Sequence, residues 1–161
     1  MYIFNLPVLE EKGIDKIILE VISNNIQAIK SYKKSGFETT RELVCFKGNF
    51  DTPKSNKEVE IKKFEKYQWN LMESFWDTTT TWQNSKNVME KLREDNNSFG
   101  AYIKNQLVGY VIYSPNSKRI QQSAVDKDYR RIGIASTLIT QLTKEYRNTF
   151  SIINVDKKAK N

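Results

Sequence analysis

Apolar and polar positions change rhythm several times along the chain. Residues 14–21, IDKIILEV, form a β-branched run after Gly13, a pattern that predicts a buried strand. Ser23, Asn24 and Asn25 then offer helix-capping side chains, and Ile26, Ile29 and Tyr32 continue at helical spacing until Gly36 stops the helix. The stretch 38–48, ETTRELVCFKG, alternates as a strand does, whereas 48–58, GNFDTPKSNKE, has the composition of a linker.

Beyond the linker, VEIKKF (59–64) reads as a strand, and two helical stretches follow: YQWNLMESFW (67–76) and SKNVMEKLRED (85–95), the latter with Ser85 as its cap. Within SFGAYIKNQLVGYVIYS (98–114), Asn105-Gln106 reads as a tight turn between two strands. The second of these strands is apolar on both faces, with Leu107, Val111 and Tyr113 against Val108, Tyr110 and Ile112, as a central strand should be. KRIQQSAV (118–125) predicts a further strand. It leads into a helix with Ile134, Leu138, Ile139, Leu142 and Tyr146 on one stripe, and FSIINV (150–155) follows as the last strand. The pattern is α+β around a sheet. One internal echo stands out: residues 13–25 and 149–161 both look like the strand that follows a long helix, so one element is represented twice.

Composition narrows the chemistry. The 161 residues, 39% of them hydrophobic, are enough for one domain with a real core. A single cysteine, Cys45, excludes an internal disulfide and reads as a core strand residue; no run is long or apolar enough for a signal peptide or membrane span, so a cytoplasmic protein is expected. The net charge of +7 suits a phosphorylated cofactor or another polyanion, and equally suits solubility alone. Nucleic acid is not expected as a partner, because the basic residues are scattered and no recognised binding motif accompanies them. Histidine is absent, which removes the commonest general base, the usual triads and most catalytic zinc sites. No metal is expected, and chemistry falls to Tyr, Ser, Asp, Glu, backbone amides or water.

Two stretches could carry that chemistry. In DYRRIGIASTLI (128–139), Arg130, Gly133 and Ala135 stand between a predicted strand and helix, where successive N–H groups converge and the helix dipole favours an anion. Gly133 lets the backbone approach a diphosphate, Ala135 keeps the first turn close, and Arg130 and Arg131 add charge. The plain alternative is a helix that starts at a glycine beside solvated arginines. In the earlier helix, Asn25, Ile29 and Tyr32 at i, i+4 and i+7 put an amide and a phenol on one face, with Ala28 leaving space; the alternative is a capping Asn25 and a core Tyr32.

Together these stretches resemble the GNAT family of N-acetyltransferases. AVDKDYRRIGIASTLI is similar to the family's acetyl-coenzyme A signature, [Q/R]-x-x-G-x-[G/A], with Arg130, Gly133 and Ala135 in place. LEVISNNIQAIKSYKKSGFE is similar to its later signature, V-x-x-x-N-x-x-A-x-x-x-Y-x-x-x-G-F, with Val21, Asn25, Ala28, Tyr32, Gly36 and Phe37 matching. The resemblance implies the acyl-CoA N-acyltransferase fold, a mixed central sheet flanked by helices, and an acetyl-CoA-dependent transfer to an amine of a small molecule or peptide. It assigns the diphosphate to the amides of Arg131, Ile132, Gly133, Ile134, Ala135 and Ser136. It also assigns the pantetheine arm and acetyl carbonyl to backbone near Ala124 and Val125, a cofactor contact to Asn25, and the role of general acid to Tyr32. Glu73, Asp77 and Tyr113 are candidates for the base, and Trp69, Trp76 and Trp82 for an acceptor pocket.

The order of the two signatures is reversed relative to the family. Residues 1–47 read as the last third of one such unit, 48–58 as the linker, and 59–161 as the first two-thirds of a second, as in a tandem protein. The expectation is one composite, permuted domain or a homodimer that swaps segments; the alternatives are a truncated module and a coenzyme-binding or regulatory module without turnover.

Overall fold

The stretch from Leu107 to Ser114, buried at every position, becomes the centre of the molecule. The computed structural model describes residues 6–48, 55–64, 66–146 and 150–158. They divide between two compact units, Met1–Arg41 and Glu42–Asn161.

The second unit is built on a six-stranded sheet: β1 (Leu43–Gly48), β2 (Glu60–Lys63), β3 (Asn97–Ile103), β4 (Gln106–Ser114), β5 (Arg119–Val125) and β6 (Phe150–Asp156), in the order β1-β6-β5-β4-β3-β2. All neighbours are antiparallel except β5 and β6, so the sheet is mixed. Central β4 carries apolar side chains on both faces, and both are covered. Ile134, Leu138 and Leu142 of α5 (Ile134–Glu145) join Val108, Val111, Tyr113 and Ile120 in one cluster. Leu107, Tyr110 and Ile112 join Met72 of α3 (Trp69–Ser74), Phe75, and Met89 of α4 (Lys86–Lys91) in the other. Among the described residues no helix is long and apolar enough to cross a membrane.

Lys104 and Asn105, with φ of 50° and 66°, form the turn between β3 and β4. The turn therefore falls one residue before the expected Asn105-Gln106, because a two-residue hairpin of this hand needs positive φ at both central positions and Gln106 already pairs with Ile103. The helices α3 and α4 are shorter than their sequence windows, and Ser85 makes no side-chain cap bond to α4. Cys45, expected in the core, is exposed, because β1 is an edge strand whose later residues face water.

The first unit holds α1 (Leu6–Glu11) and α2 (Ile26–Lys34). The strand expected at 14–21 does not form: the segment joins no ladder, and Ile14, Ile17, Ile18 and Val21 are exposed. The parallel place beside β5 is filled by Phe150–Asp156, the other copy of the echoed pattern. Helix α2 closes at both ends with its own residues. The Asn25 Oδ1 accepts the Ala28 N–H at 3.1 Å. At the far end Gly36, with φ of 88°, donates to the Lys33 carbonyl while Phe37 donates to the Tyr32 carbonyl. The Tyr32 and Phe37 rings meet edge to face at 5.9 Å, completing a Schellman stop with its hydrophobic contact.

Candidate functional site

The site begins where β5 and β6 part. Their pairing covers only Arg119 with Ser151 and Ile120 with Ile152, after which the strands separate. Each strand carries an irregularity here. The β4–β5 register slips around Gln121, and Asn154 of β6 adopts a φ of 58° opposite the slip in the β1–β6 register. Between them opens a cavity of about 1130 Å³, walled by Gln121–Val125, Ile152–Asp156 and Arg130–Ser136. That exceeds the roughly 300–1,000 Å³ of ordinary small-molecule sites, which leaves room for a large cofactor and a second reactant.

On one side of the opening lies the start of α5. Its N-terminal residue, Gly133, sits in the left-handed region at φ 88°, and no side chain caps the helix. The first intrahelical bond runs from the Thr137 N–H to the Gly133 carbonyl at 2.9 Å, so the N–H groups of Ile134, Ala135 and Ser136 keep no partner within the helix. Arg131, also at positive φ (65°), bends the chain just before it. Asn56 braces this bend: its backbone N–H donates to Thr137 Oγ1 and its Nδ2 to the Ile132 carbonyl, each at 2.8 Å. Gly109 lets the helix start lie close to the sheet, since a Cβ there would stand 2.9 Å from Ile134 Cγ2 and 3.3 Å from the Ala124 carbonyl oxygen. A group with several anionic oxygens fits this arrangement of bare amides beside a deep cavity.

Arg130 also lines the cavity, and its side chain is held by four hydrogen bonds. Its Nη1 contacts both Asp77 carboxylate oxygens, at 3.2 and 3.0 Å, while Nη2 donates to the Phe75 carbonyl and Nε to the Val125 carbonyl. The guanidinium thus ties the end of β5 to the segment after α3, and its charge is met by Asp77. Ala124 and Val125 pair with β4 through Tyr110 and Gly109, and have no ladder partner on the β6 side.

A chain of hydrogen bonds runs across the cavity wall. The Trp76 indole N–H donates to Tyr110 OH at 2.6 Å, Tyr110 donates to Gln122 Oε1 at 2.9 Å, and Gln122 Nε2 donates to the Asn84 carbonyl. Burial pushes the Tyr110 phenol far above its ordinary pKa, only partly opposed by the Trp76 N–H. It stays protonated at any working pH.

The candidate bases are all engaged: Glu73 pairs with Lys86 at 3.0 Å, Asp77 with Arg130, and Tyr113 is buried between Tyr146 and Phe150. Of the three tryptophans, Trp76 lines the cavity, Trp69 donates to Glu90 and Trp82 is exposed. Asn25 and half-buried Tyr32 belong to the first unit, on α2. Among the described residues no cluster of three potential metal ligands occurs. Sequence reasoning missed Asn56, Gly109 and the Tyr110–Gln122 pair; a glycine in the middle of an otherwise apolar strand was the one legible signal.

The mixed six-stranded sheet and its helices match the fold of GNAT acetyltransferases. Residues 61–159 match the family model described as the acetyltransferase (GNAT) family, and the chain belongs to that family. Its members use acetyl-CoA. The matched residues do not include Asn25 or Tyr32. Among solved structures, a GCN5-related N-acetyltransferase from Sphaerobacter thermophilus aligns over 88% of this chain and 51% of its own, with a TM-score of 0.61 at 13% identity. A Drosophila protein aligns over 86% and 50%, with a TM-score of 0.56 at 15% identity. A GNAT family acetyltransferase from Elizabethkingia anophelis, solved with acetyl-CoA bound, aligns over 58% and 60%, with a TM-score of 0.46 at 16% identity. The chain spans about half the length of the first two structures. No curated protein is significantly similar to it.

Proposed function

We propose that this chain transfers the acetyl group of acetyl-CoA to a primary amine of a small molecule or peptide. The observation that carries the reading is the uncapped first turn of α5, whose amides border the cavity between the parted strands. When bound, acetyl-CoA supplies a thioester: the amine nitrogen bonds to its carbonyl carbon, the C–S bond breaks, one amine proton leaves and the departing sulfur takes up a proton. The N–H groups of Gly133 to Ser136, together with Arg131 and Ile132, hold the diphosphate by charge-assisted hydrogen bonds and the helix dipole. The backbone of Ala124 and Val125, open on the β6 side, holds the arm and the acetyl carbonyl.

Tyr32 gives the proton to the leaving sulfur, and Asn25 keeps its Nδ2 for the cofactor arm while its oxygen caps α2. Both come from the first unit, of the same chain or of a second copy. The engaged state of Glu73 and Asp77 favours water as the carrier of the amine proton; it also supports the rival reading of a coenzyme-binding module without turnover. Calorimetry with acetyl-CoA, followed by thiol release with an amine panel, separates the two. Tyr32→Phe is expected to lower kcat by about 100-fold, within the usual range for a general acid, with cofactor affinity unchanged. An unchanged rate removes Tyr32 from the mechanism, and light scattering reports whether a dimer forms.

A further inference from the structure

Every hydrogen-bonding group of Asn56 is engaged, and two of them act on the start of α5. Its backbone N–H donates to Thr137 Oγ1 at 2.8 Å, and that hydroxyl donates in turn to the Gly133 carbonyl at 2.9 Å. Its Nδ2 donates directly to the Ile132 carbonyl at 2.8 Å. The other two turn back on their own segment: Oδ1 accepts the Glu58 N–H at 2.9 Å and the carbonyl accepts the Val59 N–H at 3.4 Å. One residue therefore holds two successive carbonyls. In a planar trans peptide the N–H points opposite to the C=O, so fixing the carbonyls of Ile132 and Gly133 also fixes the directions of the Gly133 and Ile134 N–H groups. The bend they lie on needs such support, because Arg131, a residue with a side chain, sits at φ 65°, a conformation that persists only where its neighbours enforce it.

We infer that Asn56 is a positioning residue for the acyl donor: it aims the amides that meet the diphosphate, and it couples donor binding to the seating of residues 55–59. The inference rests on the acetyl-transfer reading, in which those amides hold the diphosphate. Amides aimed before the ligand arrives need no reordering when it binds, whereas loosened ones must be ordered at the expense of affinity. Asn56 belongs to the segment that joins β1 to β2, the strands at opposite edges of the sheet. Coupling between two sites runs both ways by the same factor. A donor that binds the braced cradle more tightly than the loose one therefore also resists release of residues 55–59.

The test uses the full chain and coenzyme A, the probe that carries the diphosphate. By calorimetry, Asn56→Ala is expected to bind coenzyme A about tenfold more weakly than the wild type. Thr137→Val, which keeps the buried shape and removes the relaying hydroxyl, is expected to repeat the loss, and Thr137→Ser to restore affinity. In the wild type, saturating coenzyme A is expected to slow amide exchange at Glu58 about tenfold, although Glu58 is not on the cavity wall; Thr137→Val loses most of that protection. A residue that only supported the fold would lower the melting temperature and leave coenzyme affinity and its effect on Glu58 in place. Wild-type affinity in both Asn56→Ala and Thr137→Val overturns the proposal, as does an equal loss in Thr137→Ser and Thr137→Val, or exchange at Glu58 that is blind to coenzyme A. If Asn56→Ala does not fold, the Thr137 pair and the wild-type exchange decide alone. A wild type that binds no coenzyme A defeats the acetyl-transfer reading, and this inference with it.

Discussion

Helices α2 and α5 begin in opposite ways. In α2 the Asn25 side chain closes the first turn, and at the far end Gly36 and Phe37 close the last. In α5 a glycine stands at the start, no side chain reaches back, and the first amides look onto a cavity. Both starts satisfy the same physical demand, that backbone donors find partners. The first does so internally and becomes a self-contained element. The second leaves the demand to be met by water or a ligand, which is what an anion site requires.

The largest expected effect breaks this contrast at its open end. Gly133→Val forces a β-branched residue to φ 88°, at a strain of about 2 kcal/mol, and re-aims the first amides of α5. Acetyl-CoA affinity is expected to fall more than tenfold by calorimetry, alongside a lower midpoint in urea. The next effect sits at the closed end: Asn25→Ala should cost about 1 kcal/mol of local helix stability, seen as faster amide exchange in α2. Asn25→Ser sharpens the point, because it keeps a cap and removes the amide. Affinity lost with α2 intact marks a true cofactor contact, whereas affinity retained leaves Asn25 as a cap alone.

The smallest effect is electrostatic and lies at the start of the second unit, where Lys157 Nζ donates to Glu42 at 2.6 Å. The hydrogen bond, then the charge, of Lys157 lowers the Glu42 pKa, and the same contacts with Glu42 raise that of Lys157. A lowered carboxylate pKa gives stability that is present above the unfolded value and lost as pH falls through the folded one. A raised lysine pKa gives stability that is present below its unfolded value and lost as pH rises through the folded one. Amide protection in β1, corrected for the intrinsic pH dependence of exchange, is therefore expected to fall slightly toward acid and toward strong alkali, and to become insensitive to pH in high salt, because both groups are exposed. The neutral caps of α2 should show no such dependence.

The residues that announce themselves are those whose role is local. Gly133 before a stripe of Ile134, Leu138 and Leu142 marks an uncapped helix start, and the unbroken apolar run of β4 marks a strand covered on both faces. What stays hidden depends on partners distant in the chain. Residues 14–21 and 150–156 carry the same β-branched signal, yet only the second has neighbours to pair with, since strand propensity reports fit to a surface rather than an independent preference. Arg130 reads as cofactor charge, and nothing local in the sequence reveals that Asp77, with α4 and three strands between them, pairs with it. Asn56 sits in a stretch of linker composition, and nothing local reveals that it braces the α5 turn.

The central claim, that the open start of α5 is where the cofactor's phosphates bind, is tested most directly by amide NMR of the labelled chain during titration with acetyl-CoA. The account predicts that the resonances of Gly133, Ile134, Ala135 and Ser136 move furthest and saturate with one equivalent, while those of the capped first turn of α2 shift less. Saturating binding that leaves these four amides unmoved would contradict it.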